Sequence, residues 1–321
     1  MLKLAMHPQR RLSGGGANFF SNLRGAVERY EYAKIVGPYN VFQDMGLYSS
    51  VVRNLFRYSY VLRIDGIYFD IRNTFGDNDA LNKKIFDSIR GASGVLFQSE
   101  FSRRLVEGHF GEIRAPHTVI INGAPIVAAN RERKVFDKKV IVCSANWRPN
   151  KRLGAIVETV KRLRKNVECE LVVIGDTGNN QVEENDFIHI TGKLSHDQVA
   201  KYLKKADLFM HLSWLDPCPN SVVEATCHGV PVVCSNLGGT PEIVQAANGG
   251  RISQCDDEVG FDELVDLHHP PMPEIDVLVR DTEDALEHSA EIIAGIDYSA
   301  VDIRVTARKY VDFCQQVRDS L

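Results

Sequence analysis

Residues 214–244, WLDPCPNSVVEATCHGVPVVCSNLGGTPEIV, constrain this chain more than any other stretch. One acid, Asp216, precedes a helical pattern, and a second, Glu224, lies one turn inside it. The apolar run Val230-Pro231-Val232-Val233-Cys234 reads as a short buried strand, and a glycine turn then ends in Thr240-Pro241-Glu242. Helix, buried strand and glycine turn in succession belong to an α/β protein. The start of such a helix offers N–H groups without intrahelical acceptors and a positive dipole end, both suited to phosphate. Pro217 and Pro219 carry no N–H, so the backbone donors near the turn are those of Cys218, Asn220 and Ser221. Asn220 or Ser221 could equally cap the helix. Glu224 sits among Val222, Val223 and Ala225, where a carboxylate is expensive to bury without a hydrogen-bonding partner. Sugar hydroxyls are suitable partners for both acids.

The same alternation extends along the chain. Residues 1–6 read as a strand, Gly14-Gly15-Gly16 as a turn, and 17–30 as an amphipathic helix. Further strands are expected at 33–36, 60–64, 94–97 and 118–121, with helices at 80–90 and 102–108. Residues 125–139, which carry the Arg131-Glu132-Arg133-Lys134 run, read as a linker. A second series follows, with strands at 140–145, 170–174, 187–191 and 208–212 and helices at 154–163 and 197–206. Residues 281–321 read as helices, and 268–273 as a loop. The expected fold class is α/β, with two Rossmann-like domains facing a cleft. The expected boundaries are 1–128 for the first domain, 129–300 for the second, and 301–321 for a C-terminal helix.

Composition excludes several alternatives. The chain of 321 residues is 44% hydrophobic and 25% charged, which is the profile of a globular protein with room for two domains. Its formal charge of -4 argues against a general nucleic-acid binder. No apolar run is long enough to span a bilayer, although peripheral membrane contact stays compatible with the sequence. The seven cysteines are odd in number and lack C-x-x-C spacing, so they read as reduced thiols of a cytoplasmic protein. Asp77-Asn78-Asp79 follows Phe75-Gly76 and reads as a turn and helix cap, not a metal motif.

The spacing Asp216, seven residues, Glu224, followed by Gly238-Gly239-Thr240-Pro241-Glu242, resembles the acidic motif and glycine turn of retaining GT-B-fold glycosyltransferases of family 4 (glycosyl transferases group 1). Family members usually carry glutamate where Asp216 stands. The resemblance implies a nucleotide-diphosphate sugar as donor, a hydroxyl acceptor on a glycan or lipid-linked saccharide, retention of configuration, and neither metal nor cofactor. It places Asp216 at the donor sugar and Glu224 at the ribose hydroxyls. Lys151 takes the position of the family lysine that neutralises the diphosphate. The family arginine's position holds Asn146, with Arg148 two residues on, so either Arg148 does this work or one phosphate contact is absent.

The resemblance also places Gly15 and Gly16 in a donor-facing glycine loop, Gly175 in a Gly-Asp turn near the base, and Thr240 beside phosphate. Asp65 occupies a place where relatives carry an active-site histidine, and a loop-capping role is its alternative. It further implies that the C-terminal helix crosses back to the first domain, which normally recognises acceptor. The expected catalytic residues are thus Asp216, Asp65 and Lys151. The expected donor contacts are Gly15, Gly16, Arg148, Lys151, Gly175, Cys218, Asn220, Ser221, Glu224 and Thr240. Two other readings stay open: a GT-B hydrolase or epimerase acting on nucleotide sugars, and a non-catalytic nucleotide-sugar-binding protein.

Overall fold

The computed structural model describes residues 1–7, 15–37, 43–49, 59–72, 76–128, 138–178, 180 and 182–321. Gly14 and the linker's charged run at 131–134 lie outside the described residues. The chain divides into two compact units. Unit 1 comprises Met1–Ala124, Val259–Val265 and Asp302–Leu321, and unit 2 comprises Pro125–Glu258 and Asp266–Val301. Each is built on a parallel sheet that is six-stranded among the described residues.

In unit 1 the elements run β1 (Lys3–His7), α1 (Gly15–Arg29), β2 (Lys34–Val36), β3 (Met45–Ser49), β4 (Tyr60–Ile64), α2 (Asn78–Arg90), β5 (Gly94–Phe97), α3 (Glu100–Phe110) and β6 (His117–Val119). The strand order is β2-β1-β3-β4-β5-β6. Strands β3, β4 and β5 are buried at every position; for that reason β4 and β5 read as short, largely apolar runs rather than alternating ones, whereas β3, with Gly46 and Ser49, was not anticipated. The last helix of the chain, α10 (Ile303–Asp319), belongs to this unit. Its apolar stripe of Ile303, Ala307, Tyr310, Val311, Cys314 and Val317 recurs at helical spacing. That stripe shares one core with Phe19, Phe20, Leu23 and Val27 of α1 and with Leu4, Met45, Leu47 and Leu96 of the sheet. Each large side chain so buried contributes about 2 kcal/mol. In α2, the Asp77 side chain accepts from the N–H groups of Asp79 and Ala80, so the Asp-Asn-Asp run is a helix cap.

Residues 259–265 were not foreseen as part of this unit. They pair with 69–71 through Val265 N–H to Phe69 O and Ile71 N–H to Val265 O, both 2.9 Å. Phe261 rests on Phe101 of α3 with ring centroids 5.7 Å apart, under the Arg104 guanidinium at 4.4 Å. Gly108 permits this approach, because a Cβ there would lie 2.4 Å from Phe261 O.

Unit 2 contains β7 (Lys139–Ser144), α4 (Leu153–Leu163), β8 (Cys169–Ile174), β9 (Ile188–Gly192), α5 (His196–Leu203), β10 (Leu208–His211), α6 (Asn220–Cys227), β11 (Val232–Ser235), α7 (Thr240–Ala246), β12 (Gly250–Ser253), α8 (Ile275–Glu287) and α9 (Ser289–Gly295). Its order is β12-β11-β10-β7-β8-β9. Ile141, Cys143, Leu171, Val173, Met210 and Val233 of the sheet bury against Ile156 and Val160 of α4 and Leu278 and Ala285 of α8. Strand β12, which opens at Gly250, was not anticipated. The glycine is there because β12 lies tight against β11: a Cβ on Gly250 would sit 1.8 Å from Val232 O. Helix α8 likewise begins at Ile275, ahead of the helical stretch expected from residue 281.

Candidate active site

The order of the second sheet places the site. Strand β7 has β8 on one side and β10 on the other, so the chain leaves their carboxyl ends in opposite directions. Such a reversal opens the crevice where α/β sheets hold ligands. Lys151 lies on the loop after β7 and Asp216 on the loop after β10. Their side chains form an ion pair across that reversal, with only 18% and 15% of each exposed. Burial pushes the Asp216 carboxyl up, but the Lys151 charge, His211 and hydrogen bonds from Lys151 and the Cys218 N–H together hold it below the usual carboxylate range. The Cys218 N–H donates to Asp216 Oδ1 at 3.2 Å.

The backbone on both sides of this pair is constrained. Arg152, next to Lys151, has φ 53°, and Leu215, next to Asp216, has φ 59°. A non-glycine residue in the left-handed region costs about 1 kcal/mol or more, and such outliers cluster at functional sites. Lys151 closes a short 3-10 turn (Pro149–Lys151) ahead of α4, where a cation opposes the helix dipole, so its carboxylate partner is needed. The glycine turn after β11 packs directly on Asp216. Gly239 N–H donates to Asp216 O at 2.8 Å, and a Cβ on Gly238 (φ 83°) would meet that oxygen at 2.8 Å.

Asn220 and Ser221 open α6, but Pro219 holds the cap position without a side-chain cap bond. Glu224, on the same helix, is raised by burial and partly restored by His196, whose Nδ1 lies 3.9 Å from Glu224 Oε1. The His228 ring bonds back to Glu224 O at 2.8 Å. Thr240 is the first residue of α7, and its Oγ1 is buried without a partner among the described residues. Arg148 is exposed, and its N–H donates to Asn146 O at 2.9 Å, tightening the turn that delivers Lys151. Gly175 has φ 116°, and a Cβ there would lie 2.0 Å from Ala145 O, so glycine lets the β8 loop close against the β7 loop. Trp147 Nε1 donates to Ile174 O at 3.0 Å across the same junction.

The remaining candidates lie in unit 1. Gly15 and Gly16 begin α1 directly after the undescribed part of the glycine loop. Asp65 is engaged by its own surroundings. It pairs with Arg63, whose side chain is 1% exposed, and accepts from Ser49 Oγ at 3.3 Å and Gln98 Nε2 at 3.2 Å. Arg63 also donates to Tyr310 Oη and Asn122 Oδ1, each at 3.1 Å, and Asn122 donates to Gln98 Oε1 at 3.0 Å. This polar cluster joins the ends of β3, β4 and β5 to α10.

Two features of unit 2 escaped the sequence reading. Arg152 makes a bidentate pair with Asp256 at 2.8 Å on both arms, between side chains 2% and 1% exposed. An arginine next to a lysine reads as a solvated charge, and its partner lies 104 residues away. His211 ends β10 with its ring buried and Nε2 unpartnered among the described residues; burial first, then Lys151, push it down to about 3, against a smaller upward pull from Asp216. A histidine closing the apolar run Leu208-Phe209-Met210 was the available signal. All seven cysteines are free and buried. Among the described residues no helix is long and apolar enough to cross a membrane, and no group of three or more acidic, histidine or cysteine side chains is placed to hold a metal ion.

The chain is 27% identical over 141 residues to N-acetyl-alpha-D-glucosaminyl L-malate synthase of Bacillus anthracis, covering 40% of this chain and 36% of that protein. It is 26% identical over 194 residues to a GDP-mannose-dependent alpha-(1-6)-phosphatidylinositol monomannoside mannosyltransferase of Mycobacterium tuberculosis, covering 50% and 49%. These matches thus span less than half the length of either relative. Among solved structures, a glycosyltransferase involved in avilamycin A biosynthesis superposes with a TM-score of 0.65 at 14% identity, covering 100% of this chain and 99% of that one. HepE of Anabaena, in complex with UDP and glucose, superposes with a TM-score of 0.63 at 14% identity, covering 98% and 100%. Residues 138–267, which carry Lys151, Asp216 and Glu224, match the sequence profile described as Glycosyl transferases group 1, and the two-unit α/β fold is that of GT-B glycosyltransferases.

Proposed function

We propose that this chain is a glycosyltransferase of the hexosyltransferase type, moving a sugar from a nucleoside diphosphate to a hydroxyl acceptor. The observation that carries this reading is the Lys151–Asp216 pair at the reversal of strand order, inside the segment that matches the glycosyltransferase profile. Lys151 supplies fixed positive charge to the diphosphate, and the first turn of α6 supplies N–H groups. Asp216 accepts from hydroxyls of the donor sugar, and Glu224 accepts from those of the ribose. As the bond from the anomeric carbon to the phosphate oxygen breaks, negative charge grows on the leaving phosphate. Preorganised donors stabilise that charge without reorganising, so this route needs no metal. The acceptor oxygen bonds to the anomeric carbon from the same face, and its proton passes to the departing phosphate oxygen, giving retention.

The acceptor, a glycan or lipid-linked saccharide, is assigned to unit 1, and Arg148 is a further phosphate ligand. The names of the relatives span N-acetylglucosaminyl and GDP-mannose chemistry, so a test has to cover several donors. Release of nucleoside diphosphate from UDP-, GDP- and ADP-sugars is the assay, with and without saccharide acceptors. Turnover with one donor class that Glu224→Ala abolishes is expected. No turnover with any donor, or equal rates for wild type and Glu224→Ala, overturns the reading.

A further inference from the structure

We propose that Arg152 and Asp256 are the positioning pair that aims Lys151 at the diphosphate; this rests on the donor-site reading above. Arg152 is held in a left-handed conformation at the N-cap of α4, one peptide bond from Lys151. Its guanidinium forks onto both Asp256 oxygens, which prevents rotation about the side chain's end and so fixes the backbone that carries Lys151. Asp256 is itself clasped. Asn236 Oδ1 accepts from the Cys255 and Asp256 N–H groups at 3.1 and 3.0 Å, and Asn236 Nδ2 donates to Asp256 O at 2.9 Å.

Asn236 stands just before the glycine turn that packs on Asp216. The Arg152 guanidinium also lies 5.8 Å from the Trp214 ring, and Trp214 and Asn150 exchange bonds of 2.8 and 3.4 Å. The loops after β7, β10, β11 and β12 are therefore locked together around the Lys151–Asp216 pair. Stability alone does not account for this device. A buried ion pair is a poor stabiliser, and an apolar pair of similar volume would serve the core as well. What the fork adds is direction, and small misplacements of a group that touches the reacting atoms are costly to rate and binding.

The test is a double-mutant cycle with Lys151, read by calorimetric binding of UDP, GDP and ADP. Arg152→Gly with Asp256→Asn removes both charges together, and glycine accepts the left-handed backbone. We expect this variant to bind the recognised diphosphate at least tenfold more weakly than wild type. In a Lys151→Ala background the same change should alter affinity less than twofold, because the residue being aimed is gone. Arg152→Lys, which keeps the charge and loses the fork, should show a smaller loss with the same dependence on Lys151, and it serves if the paired variant does not fold. Equal losses with and without Lys151, or unchanged affinity, overturn the positioning role and leave the donor site standing. If wild type binds none of the three diphosphates, the donor-site reading falls and the positioning role falls with it.

Discussion

Replacing Asp216 by asparagine removes one charge and almost no volume, leaving Lys151 without its carboxylate in a setting where the two side chains are 18% and 15% exposed. Breaking a fully buried pair from one side costs about 3–5 kcal/mol, and residual solvation lowers this to about 2–4 kcal/mol here. The chain's two tryptophans, Trp147 and Trp214, are buried in unit 2, so their fluorescence in urea reports that unit alone. With an m-value of about 3 kcal/mol/M, the midpoint should fall by about 1 M. The effect should also depend on pH. The folded-state carboxyl ionises below its ordinary value, so the wild-type advantage is complete above about pH 4 and is lost as pH falls through the depressed value. A midpoint shift under about 0.2 M, or a gap between the two proteins unchanged from pH 7 to pH 3, would refute the argument that the pair is buried and coupled.

Gly175→Ala should destabilise unit 2 by about 2–4 kcal/mol and shift Trp147 emission, since φ 116° and the 2.0 Å approach to Ala145 O leave no place for a methyl group; wild-type emission and midpoint would count against it. Asp65→Ala should cost about 2–4 kcal/mol in unit 1 by leaving the buried Arg63 charge unpaired, with Asp65→Asn milder because it keeps an oxygen for Ser49 and Gln98. Amide exchange in β4 and β5 reads this, and an Asp65→Ala protein as protected as wild type would refute it. His211 has its ring pushed down to about 3 in the fold, so the unfolded chain binds an extra proton between about pH 6.5 and 3. Stability should therefore decline with acid across that window by up to about 1.4 kcal/mol per pH unit, and His211→Gln should flatten the decline in Tm; parallel Tm profiles would contradict it.

Much of the fold is legible in the sequence because buried parallel strands are apolar runs and amphipathic helices carry a periodic stripe. The strands around Tyr60, Gly94, Val140, Glu170 and Leu208 and the stripe from Ala307 to Cys314 are visible for that reason. Strands β3 and β12 are harder to see, since each carries a glycine whose reason lies in its neighbours, the Tyr48 and Tyr60 side chains beside Gly46 and the Val232 backbone beside Gly250. The excursion of residues 259–265 into unit 1 is equally hidden, because nothing in Val259-Gly260-Phe261 says which sheet Phe261 will cover.

The candidate site divides in the same way. Asp216, Glu224, Lys151 and the glycine turn are readable because their chemistry is local: an acid before a helix, a carboxylate among apolar neighbours, a lysine where a dipole disfavours it. The roles of their neighbours are not local. Asp65 looks like a free acid on a loop until Arg63 is found buried beneath it, and Arg152 looks solvated until Asp256 arrives from 104 residues away. Residue types and spacings singled out the groups proposed to meet a diphosphate and a sugar. Burial and the order of strands settled which charges are paired, and a charge's partner is a property of three-dimensional packing that one-dimensional spacing does not contain.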